Sequence, residues 1–135
     1  MRFRSIRPKD RLGRKGEKAA IAFLERKGYR ILEQNLRLDP FGELDLVAED
    51  GECLVFIEVK TRKSDADGGA VEAVGMKKRR SLHRLAMAYM NRRNRPECPM
   101  RFDVVAITWP EKAAPRIDHY RDAFDIPPPL KTDNK

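Results

Sequence analysis

The chain is predicted to fold as one α/β domain, a central mixed β-sheet flanked by helices. Three observations predict it. Two strand-like runs, Glu43 to Glu49 and Glu52 to Thr61, flank the turn signal Asp50-Gly51. A helical stripe of Leu82, Leu85, Ala86 and Tyr89 follows, and after it a compact apolar strand, Phe102 to Thr108. The order helix, hairpin-rich sheet, helix, strand fits a mixed layer rather than a doubly wound parallel sheet.

At 135 residues, 41% hydrophobic and 37% charged, the chain can bury one core and is too short for two. Its formal net charge of +8 favours a polyanionic partner, DNA or RNA ahead of an acidic membrane surface. Two cysteines, Cys53 and Cys98, exclude a disulfide framework and a paired-cysteine zinc site. Cys53 reads as a small buried hydrophobe in a strand. A reducing, cytoplasmic setting is expected. The basic start, Met1 to Lys9, has no apolar stretch behind it and does not read as a secretory signal. No run is long enough to span a bilayer, so no membrane partner is expected.

Residues 1–11 read as a basic flexible arm, 12–125 as the folded domain and 126–135 as a disordered tail. The helical pattern starts at Gly16, with Ala19, Ala20, Phe23 and Leu24 at helical spacing and Gly28 as its stop. Gly13 and Gly16 read as a helix-initiating turn in preference to a phosphate-binding one. Tyr29 to Leu36 alternates weakly, as an edge strand does, and Pro40 and Gly42 mark a turn. The stretch Ser64 to Ala70 reads as a flexible loop, and a helix is predicted from Gly75 to Arg93. A second stripe on that helix carries Lys77, Arg80 and Arg84. Pro96 and Pro99 close it, and Ile117 to Tyr120 forms a last short strand.

A two-residue Asp50-Gly51 loop would pair Glu49 with Glu52, Val47 with Leu54, Asp45 with Phe56 and Glu43 with Glu58. One face then holds Glu43, Asp45, Val47, Leu54, Phe56, Glu58 and Lys60, apolar near the turn and charged at the far end. The other face, Leu44, Leu46, Ala48, Cys53, Val55, Ile57 and Val59, is apolar and must be covered. Asp45 and Glu58 are diagonal neighbours in this register, with Cβ atoms about 7 Å apart.

Like charges held together call for something positive between them. Mg²⁺ takes oxygen ligands, usually one or two carboxylates with waters and substrate phosphate. Phosphodiester hydrolysis is the chemistry such a site suits, with Lys60 orienting the attacking water or offsetting charge on the phosphate. The bland alternative is an exposed Glu-x-Lys ion pair beside a solvated hairpin rim, which is the commoner fate of each part taken alone. Glu43 reads as rim in preference to ligand. Lys77, Arg80 and Arg84 read equally as a phosphate-binding groove and as a solvated face. His83 and His119 have no partners at zinc spacing, and no aromatic platform for stacking single strands stands out.

These residues also carry a resemblance. Gly13, Gly16 and Glu17, then Gly42 to Ala48 (GELDLVA), Phe56 to Arg62 (FIEVKTR) and Arg101 to Val105 (RFDVV) resemble the uncharacterised bacterial YraN-like family, over Leu12 to Phe124. That family is similar in motif layout to archaeal Holliday-junction resolvases and the PD-(D/E)xK nucleases. The resemblance implies a restriction-endonuclease-like fold with Asp45, Glu58 and Lys60 as the motif residues. It also implies a ligand set of Glu17, Asp45 and Glu58 for Mg²⁺ or Mn²⁺. Leu44 stands where the literal nuclease signature has proline, which makes the match less specific. Arg62, Lys77, Arg80 and Arg84 would meet nucleic acid, and the resolvase likeness brings a homodimer with it. The expected function is metal-dependent hydrolysis of DNA, of branched or structured form. A non-catalytic DNA-binding module on the same scaffold is the alternative, and an assembly factor with an incidental basic face ranks third.

Overall fold

The computed structural model describes residues 10–64 and 74–125. The arm up to residue 9, the loop 65–73 and the tail 126–135 lie outside them. Helix α1 (Arg11–Arg26) is followed by strands β1 (Arg30–Leu38), β2 (Gly42–Asp50) and β3 (Cys53–Arg62). Helix α2 (Met76–Arg92) then leads to β4 (Met100–Thr108) and β5 (Arg116–Tyr120). The five strands form one sheet in the order β1-β2-β3-β4-β5. The β3/β4 pair is parallel, and β1/β2, β2/β3 and β4/β5 are antiparallel, so the sheet is mixed, as expected.

Each face of the sheet carries one helix. Leu46, Ala48, Val55, Ile57, Val105 and Ile107 pack with Ala20 and Leu24 of α1. Val47, Leu54, Phe56, Phe102 and Val104 pack with Leu82, Leu85, Ala86 and Tyr89 of α2, the stripe the sequence predicts. β4 lies between two strands, and its residues 102–108 are all buried. The edge strand β5 is short and carries an Arg116–Asp118 ion pair at 3.0 Å, a polarity that discourages edge-to-edge pairing.

Several expectations need correction. α1 starts at Arg11, not Gly16, because the Asp10 carboxylate accepts the Gly13 amide at 2.7 Å and caps the helix there. Gly13 and Gly16 therefore lie inside the helix. Gly16 serves close approach: a Cβ there would come within 1.9 Å of Thr61 Oγ1 on β3. The hairpin loop is Gly51-Glu52, since Asp50 pairs with Cys53, Val47 with Phe56 and Leu46 with Ile57. Gly51, at φ 62°, takes the first loop position, which a type II′ turn reserves for glycine. This shifts the predicted register by two residues, which preserves the faces because side chains alternate with a period of two. Leu44 is the exception, packing on the α2 side. Cys53 is half-buried and packs against the α1-side core.

Candidate functional site

The β2/β3 ladder runs from Asp50↔Cys53 to Leu46↔Ile57. Beyond it the Asp45 side chain takes over as acceptor, its Oδ2 receiving the Val59 amide at 2.7 Å. Asp45 is thereby fixed beside the residues that follow Ile57. Glu58 comes next on β3, only 4% exposed. Burial pushes its carboxyl above the usual glutamate range, and the charge on Asp45 adds to that; Lys78 and Lys60 oppose it. Two carboxylates and Lys60 thus border one cleft.

The cleft has a volume of about 950 Å³, and Asp45, Glu58, Lys60, Lys77, Lys78 and Ser81 are among its lining residues. Asp10 and Gly13 of the α1 amino end, and Gly75 and Met76 of the α2 amino end, line it too. No side chain caps α2 at Gly75, and neither helix has an acidic residue in its first turn. The uncapped amino end of α2 and three lysines therefore face Asp45 and Glu58, with Asp10, the cap of α1, and Glu43 also along the lining.

Lys78 was missed. Its ammonium pairs with Glu58 Oε2 at 2.5 Å. The signal was present, because the buried stripe of α2 extended back one turn from Leu82 lands on residue 78.

Glu43 lines the rim and pairs with Arg37 at 3.7 Å. Lys77 lines the cleft and is exposed. Arg62, Arg80 and Arg84 are not among the lining residues; Arg84 is exposed, and the other two are half-buried. Glu17 is buried on α1, its Oε1 accepts from Asn35 Nδ2 at 2.9 Å, and it is not among the residues lining the cleft. Among the described residues no three His, Cys, Asp or Glu side chains are grouped to hold a metal ion. The donors that fit Mg²⁺ or Mn²⁺ here are thus the Asp45 and Glu58 carboxylates, a number sufficient where waters and phosphate complete the shell. Among the described residues no helix is long and apolar enough to cross a membrane.

Comparison with known proteins gives one consistent match. A profile described as uncharacterised protein family UPF0102 matches residues 16–107. A UPF0102 protein of Geotalea daltonii is 43% identical over 115 residues, which cover 85% of this chain and 90% of that protein. One from Geobacter sulfurreducens is 44% identical, over 85% of this chain and 89% of that protein. One from an Arthrobacter strain is 47% identical, over 86% and 98%.

Proposed function

The chain belongs to the uncharacterised protein family UPF0102, and for this member we propose metal-dependent endonuclease-like action on DNA phosphodiesters. The observation that carries the reading is Glu58, a carboxylate buried beside Asp45 at the floor of a lysine-lined cleft. Burying a carboxylate against another is costly, and neither side chain is needed to fill the core. A divalent cation offsets that cost. The motif likeness to PD-(D/E)xK nucleases and resolvases supports the same assignment.

In this reading Asp45 and Glu58 would hold Mg²⁺ or Mn²⁺, which when bound would supply Lewis-acid polarisation of a phosphodiester and activation of a water. Lys60, two residues along β3 from Glu58, orients the attacking water and offsets charge on the pentacovalent phosphate. The uncapped amino end of α2 and Lys77 attract the backbone phosphates, which position the ligand without reading its sequence. Lys78 neutralises Glu58 until the cation arrives.

Supercoiled and branched DNA incubated with Mg²⁺ or Mn²⁺ tests this. The wild type is expected to cleave and Asp45→Ala and Lys60→Ala to be inactive; equal cleavage by all three would assign the activity to a contaminant.

The Lys78–Glu58 pair supports a second reading, since an ammonium already sits where a cation would. A non-catalytic DNA-binding module would retain this pair permanently. Salt-dependent retardation of DNA with no metal requirement and no cleavage would favour it.

A further inference from the structure

Resting on the nucleic-acid reading above, we infer that a second cleft beside the candidate site holds an unpaired nucleotide, making DNA with single-stranded character the preferred ligand. This cleft measures about 420 Å³, within the range of small-ligand pockets. Its lining includes Leu12, Lys15, Lys63, Trp109 and Lys112.

Trp109 is the only tryptophan of the chain. It follows directly on β4, and its amide donates to the Arg62 carbonyl at 2.8 Å, extending the parallel β3/β4 ladder by one rung. Its ring packs against the α1-side core and remains half-exposed. The Lys15 ammonium lies over it, 3.9 Å from the ring centroid. Lys15, Lys63 and Lys112 are exposed and come from α1, the end of β3 and the β4–β5 connection, with Glu111 as the single acidic lining residue. An indole fixed by backbone pairing, with one ammonium over it and two further lysines lining the same cleft, suits an unpaired nucleotide. The base stacks, and the flanking phosphates meet the lysines.

Lys15 does not block the ring. Its contact is that of a flexible, exposed cation, weaker than a base–aromatic stack, and on displacement the ammonium gains a phosphate. The two clefts share their borders. At the start of α1 the cap Asp10 and Gly13 line one and Leu12 and Lys15 the other, while Lys60 near the end of β3 and Lys63 just after that strand divide likewise. A strand leaving the carboxylate cleft across this end of the sheet meets Trp109 next. The sequence offered no stacking platform because Trp109 is isolated in it. Its lysines arrive from three separate segments.

The lone tryptophan makes the test direct. A short oligothymidine, a matched blunt duplex and polyphosphate are titrated at low salt, following both ligand anisotropy and tryptophan emission. Oligothymidine is expected to quench the emission, while the duplex binds with little quenching. Trp109→Ala is expected to weaken oligothymidine binding about tenfold and leave duplex binding unchanged. Lys63→Ala combined with Lys112→Ala, at exposed positions that do not endanger folding, is expected to weaken oligothymidine binding in the same selective way. Oligothymidine that binds without moving the emission, with both variants at wild-type affinity, would overturn the inference. Equal quenching by polyphosphate would overturn it too, leaving an anion site. If neither duplex nor oligothymidine binds, the nucleic-acid reading itself falls.

Discussion

Asp103 on β4 is 1% exposed and gathers one end of the sheet around it. Arg101 Nε donates to its Oδ1 at 3.0 Å, the Asp122 amide to the same oxygen at 2.9 Å, and His119 Nε2 lies 2.8 Å from Oδ2. Lys27 Nζ lies 2.9 Å from His119 Nδ1, so Nδ1 accepts and Nε2 carries the proton that Asp103 receives. Burial alone would raise the Asp103 carboxyl, but the hydrogen bonds from His119, the Asp122 amide and Arg101 outweigh it and hold it below the usual aspartate range. The folded state therefore binds this proton more weakly than the unfolded chain. The stabilisation is complete above the unfolded aspartate value of about 4 and is lost as pH falls through the lower folded value. Asp103→Asn is expected to cost about 2–3 kcal/mol near neutrality, because it leaves Arg101 without one of its buried partners. Urea midpoints of the two proteins should keep that gap at pH 5 and converge at lower pH. His119, read from sequence as ordinary, is a packing and hydrogen-bonding residue of this network. Its partner lies sixteen positions away, and only the β4/β5 pairing brings them together.

At the scale of elements, the docking of α1 on β3 sets where the cleft opens. Gly16 permits it, because any side chain there meets Thr61. Gly16→Ala is expected to destabilise by about 2–3 kcal/mol through overpacking, in spite of alanine's better helix propensity. Thr61→Ala added to it should restore part of the loss; a Gly16→Ala protein of unchanged urea midpoint would contradict the close packing. The hairpin shows what was legible and why. Alternation in GELDLVAED and CLVFIEVKTR assigns residues to faces, and the two-residue register shift that follows from moving the turn by one position leaves those faces intact except at Leu44. Boundaries were less legible. The start of α1 depends on Asp10 as a cap and on a tertiary contact between Gly16 and Thr61, and local propensity reports neither. Asp45, Glu58 and Lys60 were legible as a group because they lie on two adjacent strands. Glu17 belongs to another layer, and its contact with Asn35 could not be read from spacing.

The whole molecule carries a net charge of +8, yet at one end of its sheet it brings Asp45 and Glu58 together among lysines and the uncapped amino end of α2. A uniformly basic surface would bind DNA without such a cluster, so binding and cation capture are separable properties. Neutralising about four phosphates would make log K fall with log salt at a slope near −3.6, and Lys77→Ala should reduce that slope by about 0.9, alike for every DNA sequence. Fluorescence anisotropy across a salt series checks this, and an unchanged slope would remove Lys77 from the interface. The metal reading of Asp45 and Glu58 is tested by isothermal titration of Mn²⁺ into the DNA-free protein, which presumes no substrate. It predicts a saturable site in the wild type that Glu58→Ala and Asp45→Ala abolish. A wild type that takes up no ion, or a Glu58→Ala protein that binds it equally well, would contradict that reading.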